Sequence, residues 1–349
     1  MRQRIETLVH QIWYPAKQKP WFYYVLIGVL LPFSILYRFI IPIRVFYLKH
    51  FKQQAVTERP VCVVGNITVG GTGKTPFVIF LAQLLKENGF KPGIVSRGYT
   101  GTKAKKDIIT LDQSVDVLTV GEEPVLIYER TGCPVVVGCK RNRAILQLCS
   151  EFPEVDIIIS DDGLQHYAMK RDIEFALLDG SRLCGNSLCL PAGPLREPIS
   201  RLNTIDYLII KEEQRHLVLK QPVAEKFSMQ FKRHQLHHLR DPNLRLPITD
   251  LKGQTVHAVA GIANPQSFFN YLKSQGLQII EHVFHDHYIY EENDFAFAKN
   301  HPIIMTEKDA LKCRAITRIR PDLNAWALPV EATLSNLFCT HLLRKLQHG

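Results

Sequence analysis

The residues from Gly65 to Pro76 read GNITVGGTGKTP, a composition and spacing suited to holding phosphate. Gly70, Gly71 and Gly73 let the backbone curl so that successive N–H groups point inward. The segment follows a short apolar run, VCVVGN at 61–66, and opens a stretch whose apolar positions (Phe77, Phe80, Leu81, Leu84, Leu85) recur at helical spacing. A strand, a glycine-rich loop and a helix N-terminus together cradle a nucleoside triphosphate on backbone amides and the positive end of the helix. On this reading Thr68, Val69, Gly70, Gly71, Thr72, Gly73, Lys74 and Thr75 bind the nucleotide. Lys74 reaches its β- and γ-phosphates and Thr75 ligates Mg²⁺. The strict phosphate-loop pattern has glycine at position 68, where this chain has Thr68.

A second acidic element sits at the end of another apolar run. VDIIISDDGLQH places Asp161 and Asp162 just past a buried strand, where ligands of open α/β sheets bind. A carboxylate there can hold Mg²⁺ opposite Thr75. The competing reading is a solvated Asp-Asp-Gly turn.

The elements that must position these residues are legible as apolar runs. Strands are expected at 61–66, 92–96, 134–138, 155–160, 173–179 and 205–210, with helices at 75–88 and 140–150. Continuous apolar strands alternating with helices mean a parallel sheet covered on both faces. A second α/β unit begins at 255–261 and continues through a helix near 264–275 and strands at 278–283, 302–305 and 326–329. The expected fold is therefore α/β, with a phosphate-loop NTPase-like parallel sheet, a smaller C-terminal α/β domain and an N-terminal membrane helix. The expected boundaries are 1–55 for the membrane segment, 56–215 for the phosphate-loop domain, 216–252 for a polar, basic linker with a hairpin, and 253–349 for the C-terminal domain.

Trp21 to Tyr37 carries no charge and reaches roughly 26 Å as a helix, the lower edge of a spanning length. Pro32 is expected to kink it. Trp13, Tyr14, Trp21, Phe22, Tyr23 and Tyr24 cluster at its start like an interfacial belt. Arg2, Arg4, Lys17, Lys19, Arg38, Arg44, Lys49 and Lys52 flank both sides and give no orientation. The reading is a retained anchor, spanning or lying in one leaflet, over the alternative of a buried core helix.

Lys plus Arg is 43 against 33 for Asp plus Glu, a formal net charge of +10. That balance suits nucleic acid, an anionic membrane face or a phosphorylated substrate, and does not choose among them. Ordinary apolar and charged content, 46% and 22%, excludes disordered and fibrous classes. The eight cysteines form no C-x-x-C pair and read as free thiols of a reducing compartment. His234, His237 and His238 read as a solvated face of the basic linker. His285, Asp286 and His287 lack the second ligand set that a metal site requires.

Taken together, VVGNITVGGTGKTP, SRGY at 96–99, GEEPVLIYERT at 121–131, DDGLQHY at 161–167, LPAGPLRE at 190–197 and MTEKDALKC at 305–313 resemble the tetraacyldisaccharide 4'-kinase family over almost the full length. The resemblance implies transfer of the γ-phosphate of ATP, with Mg²⁺, to the 4'-hydroxyl of a tetraacyldisaccharide 1-phosphate in lipid A biosynthesis. It implies an inner-membrane enzyme facing the cytosol, with a lipid surface as its partner and neither nucleic acid nor a partner protein. The family pairs the Asp of a Gly-Asp-Glu-Pro pattern with a later His. Here the matches are Glu122, one methylene longer, and His287, and Glu123 stands beside Glu122 as the rival carboxylate. These two, with Lys74 and Asp162, are the implied catalytic residues. Because Glu122 and His287 are far apart in sequence, closure of the second domain over the first is expected to bring them together. Arg97, Arg141, Arg196 and Glu197 match the substrate side. A membrane-associated, partner-driving ATPase is the alternative. Its signature lysine precedes the glycine pair, where this chain has Val69.

Overall fold

The structure, a computed structural model, describes residues 8–9, 11–14, 21–51, 57–98, 107–114, 117–212, 225–233, 235–241, 243–298, 300–320 and 322–348. Arg2, Arg4, Lys17, Lys19, Lys52, Tyr99, Gly101, His234 and residues 213–224 of the expected linker lie outside these. In chain order the elements begin with α1 (Trp21–Phe51), β1 (Val61–Gly65), α2 (Lys74–Glu87), β2 (Pro92–Ser96), β3 (Ile109–Thr110), α3 (Glu122–Thr131) and β4 (Val135–Val137). There follow α4 (Arg141–Glu151), β5 (Ile157–Ser160), β6 (Ile173–Asp179), β7 (Tyr207–Lys211), β8 (Glu225–Lys232), β9 (Gln235–His238) and β10 (Arg245–Pro247). The chain finishes with β11 (Thr255–Ala260), α5 (Pro265–Ser274), β12 (Gln278–Val283), β13 (Ile303–Thr306), α6 (Glu307–Ile319), β14 (Ala325–Leu328), β15 (Glu331–Thr333) and α7 (Asn336–His348).

Two units emerge. The first comprises residues 1–97, 140–230 and 333–349. Its strands run β8-β7-β6-β1-β5-β2, all parallel. β1, β2, β5 and β6 are buried at every position, as strands covered on both faces must be. β1 lies between β5 and β6, so the loops that leave β1 and β5 open side by side at the carboxyl edge. Phe338 of α7 is fully buried, with ring centroids 6.1 Å from Phe77, 6.3 Å from Phe175, 5.7 Å from Tyr207 and 5.2 Å from Phe227. That aromatic cluster ties the C-terminal helix to the phosphate-loop sheet.

α1 runs as one helix through Pro32 and Pro42. It docks one stripe on the first unit and leaves the rest outward. Tyr23 and Ser34 are buried and Ile27, Leu30, Tyr37, Ile41, Val45 and Leu48 half-buried at helical spacing. Ser34 Oγ donates to the carbonyl of Cys189 (2.7 Å) and Tyr37 OH to that of Arg196 (3.0 Å). The opposite face exposes Val25, Val29, Leu36, Phe39 and Ile43. The helix is long and apolar enough to cross a membrane.

The second unit comprises residues 98–139 and 231–332. Its sheet order is β10-β9-β14-β13-β11-β12, with β12, β11, β13 and β14 parallel, β9 antiparallel to β14, and β9–β10 a hairpin. Alternation along β11 sends Val256, Ala258 and Ala260 toward α5 and Val259 to the opposite cluster with Phe295, Met305 and Cys313. α3 joins this unit through ion pairs with α6: Arg130 Nη1 to Glu307 Oε1 at 2.7 Å and Arg314 Nη2 to Glu129 Oε2 at 2.7 Å.

The structure thus divides the chain differently from the sequence boundaries at two places. Residues 98–139 fold with the second unit because α3 pairs its charges with α6. Residues 333–349 return to the first because Phe338 is needed in its core. Part of the expected linker is strand: β8, up to Gln230, in the first unit, and the β9–β10 hairpin in the second.

Candidate active site

Two clusters of functional side chains form, one in each unit. In the first, β1 ends at Gly65 and the loop that follows turns through Gly70 (φ 109°) and Gly73 (φ 86°) before α2 begins at Lys74. Gly73 caps that helix in a left-handed conformation that a side chain disfavours, which is why the loop needs glycine there. Buried Asn66 braces the loop from inside, donating from Nδ2 to the carbonyl of Gly70 and to Thr72 Oγ1, each at 3.3 Å. Thr68 bridges to Leu195, and Val69 donates its N–H to the carbonyl of Pro194 at 2.9 Å. The Val69 amide is therefore engaged by protein, and a phosphate contact expected of it is not what this loop geometry provides.

Asp162, the second residue after β5, stands beside this loop. Its Oδ1 lies 3.4 Å from Lys74 Nζ and 3.5 Å from Arg196 Nη1. Burial would raise the Asp162 carboxyl, but the charges of Lys74 and Arg196 outweigh it and hold it below its ordinary value. Asp162 adopts a positive φ of 48°, uncommon for a residue with a side chain and typical of a held functional position. Gly163 follows because a Cβ there would meet Ser160 Oγ at 2.5 Å. Asp161 is 2% exposed, its Oδ2 accepting from Ser96 Oγ at 3.0 Å.

The arginines divide. Arg196 borders Asp162, and Arg97 is exposed at the end of β2. Arg141 is 3% exposed and donates from Nη2 to the carbonyl of Asp161 at 2.8 Å. Glu197 is 3% exposed, with Oε1 taken by Gln165 Nε2 at 2.7 Å and Oε2 by the Tyr167 hydroxyl. Arg141 and Glu197 thus differ from the substrate-side placement expected of them. Both are turned inward and brace the residues that border the loop. The site also contains a residue the motif reading passed over. His166 is pushed down to about 4 by burial and then by the charges of Arg141 and Arg97, so it is neutral at pH 7. Its only sequence signal was its place in DDGLQHY.

Thr75, Asp161 and Asp162 offer only hydroxyl and carboxylate oxygens. That hard donor set fits Mg²⁺, which takes one or two carboxylates and completes its shell with phosphate and water. Among the described residues no group of three or more His, Cys, Asp or Glu is placed to hold a metal ion.

The second cluster pairs Glu122 with His287. Glu122 opens α3 and is 4% exposed, and its Oε1 bonds to His287 Nδ1. His287, like Asp162, sits at a positive φ, 62°. Burial would raise Glu122, yet the hydrogen bond and charge of His287 hold its carboxyl well below the usual range. The same hydrogen bond raises the imidazole above its ordinary value, against burial. Glu123 points elsewhere, to the ammonium of Lys308. Both partners of the dyad belong to the second unit. The expected domain closure is therefore not what joins them: the fold of that unit alone makes the pair.

A family model described as Tetraacyldisaccharide-1-P 4'-kinase matches residues 26–347. A tetraacyldisaccharide 4'-kinase of Methylobacillus flagellatus is 45% identical over 91% of this chain and 91% of its own. One from Coxiella burnetii is 44% identical over 92% and 91%, and one from Nitrosococcus oceani 40% over 98% and 95%. The crystal structure of LpxK from Aquifex aeolicus in complex with ATP superposes with a TM-score of 0.76 at 30% identity, covering 92% of this chain and 99% of that one.

Proposed function

The chain belongs to the tetraacyldisaccharide-1-P 4'-kinase family, and on that premise we propose how its residues transfer the γ-phosphate of ATP to the 4'-hydroxyl of a tetraacyldisaccharide 1-phosphate. The partner-driving ATPase alternative loses its support to the same match. Phosphoryl transfer asks the protein for positioning, charge neutralisation and a base for the attacking hydroxyl. The first cluster supplies the first two. The loop of residues 68–75, reduced by the Val69 amide, cradles the triphosphate, with Lys74 on its β- and γ-phosphates. Arg196 and Arg97 add positive charge on the acceptor side. Thr75, Asp161 and Asp162 are the residues that would hold Mg²⁺, which supplies charge neutralisation on the phosphate oxygens when bound. Neutral His166 offers a hydrogen bond without adding to that positive charge.

The single observation that carries the mechanism is the Glu122–His287 bond. Glu122 is buried, whereas the His287 side chain is 34% exposed. The carboxylate therefore orients the imidazole through Nδ1, and Nε2 is left to accept the proton of the sugar hydroxyl. On this reading Glu122 orients the imidazole and Glu123 is held by Lys308 instead.

α1 supports a membrane location. Its outward face is apolar, and Arg38, Arg44 and Lys49 suit an anionic leaflet. Placement on the cytosolic side of the inner membrane follows from where ATP and the acylated precursor meet. Incubation with radiolabelled ATP and a detergent-dispersed tetraacyldisaccharide 1-phosphate is expected to label the lipid. ATP hydrolysis without labelled lipid would overturn the reading.

A further inference from the structure

Glu122 and Glu123 are adjacent carboxylates in the first turn of one helix, and Asp286 precedes His287. Three acids therefore surround one imidazole. Glu122 bonds to Nδ1, and Asp286 Oδ2 lies 3.7 Å from Nε2. Each favours the protonated ring, and a protonated ring accepts nothing. The cation that answers them is Lys308, in the first turn of α6 and half-buried. Its ammonium bonds to Glu123 and faces Glu122 and Asp286. A lysine at a helix N-terminus opposes the helix dipole, so its placement there depends on these carboxylates. It lies in MTEKDALKC, a segment that neither the nucleotide loop nor the dyad uses.

We propose that Lys308 is a positioning residue for phosphoryl transfer: by holding Glu123 it reserves His287 for Glu122 and keeps the free imidazole nitrogen able to take the acceptor's proton. The inference rests on the reading of His287 as the base. Without the ammonium, Glu123 is released to compete for the ring, and three uncompensated carboxylates raise the affinity of His287 for its proton. Three carboxylates act on the imidazole, Glu122 and Glu123 from α3 and Asp286 from the segment after β12, and Lys308 from α6 faces all three of them. Loss of the cation shifts that balance in one direction only.

The test is the pH dependence of kcat/KM for Lys308→Met, Lys308→Arg and the double variant Glu123→Gln/Lys308→Met. Lys308→Met is expected to move the acidic limb upward by roughly one pH unit, losing about tenfold at pH 7 and recovering at high pH, with KM for ATP unchanged. Lys308→Arg keeps the charge and the wild-type profile. The double variant removes one charge of each sign, leaves no buried group unpaired, and returns the limb toward wild type, so it answers the question even if Lys308→Met folds poorly. A loss equal at every pH, with arginine no better than methionine, makes the lysine merely structural and overturns the proposal. A raised KM for the lipid with an unmoved limb puts Lys308 on the substrate and also overturns it. Full activity of His287→Ala sinks the underlying base assignment instead. An essential His287 with a silent Lys308 sinks this inference alone.

Discussion

The Nδ1 atom of His287 bonds to the buried carboxylate of Glu122, across 165 residues of sequence, within a single folded unit. The pair acts as one group. Glu122→Gln and His287→Ala are each expected to lower kcat on the order of 10²-fold, and the double variant little further. Glu122→Asp shortens the reach to the imidazole and should retain activity within about tenfold. Additive losses in the double variant would show two independent roles.

The same pair makes stability pH-dependent, with a definite sign. His287 is raised in the folded state, so its contribution is complete below the unfolded value of about 6.5 and fades as pH rises through the folded value. Glu122 is depressed, so its contribution is complete above about 4.3 and fades as pH falls through its folded value. The difference in melting temperature between wild type and His287→Ala should therefore be largest between about pH 4.5 and 6.5 and shrink toward pH 9. A difference that grows over that upper range would contradict the charged pair.

Lys74→Ala should abolish transfer while leaving the fold intact. Its ammonium faces the phosphate loop and Asp162, which keeps Arg196 as a second partner. Urea unfolding should shift by no more than about 1 kcal/mol. Normal turnover in the folded variant would remove the nucleotide site from this loop.

The outward face of α1 is separable from its docked stripe. Leu36→Glu and Ile43→Glu alter residues 58% and 69% exposed, opposite Ser34 and Tyr37. They should leave the melting temperature nearly unchanged, weaken sedimentation with anionic vesicles and raise KM for the lipid more than for ATP. Unaltered vesicle binding would assign membrane contact to another surface.

Phe338→Ala should cost about 3–5 kcal/mol, because a ring packed among Phe77, Phe175, Tyr207 and Phe227 leaves a cavity under the phosphate-loop sheet. Denaturant unfolding of the full chain reads this directly. A cost below about 1 kcal/mol would mean that α7 is peripheral to that core.

Much of this protein is written locally. The apolar runs that became β2 and β6 matched their expected limits residue for residue, because a strand covered on both faces must be apolar along nearly all its length. The phosphate loop was equally plain, since glycine at 70 and 73 is demanded by backbone conformation rather than by any distant partner. Partnership across the chain was not legible. No local pattern tells Glu122 from Glu123; in the folded chain Glu123 meets Lys308, 185 residues further on, and Glu122 meets His287. Nor does spacing show that Glu197 and Arg141 face inward, or that residues 98–139 fold with 231–332. Secondary structure and loop chemistry follow from short-range sterics and burial period. Which charge meets which, and which side of a motif faces substrate, is decided only when distant helices pack.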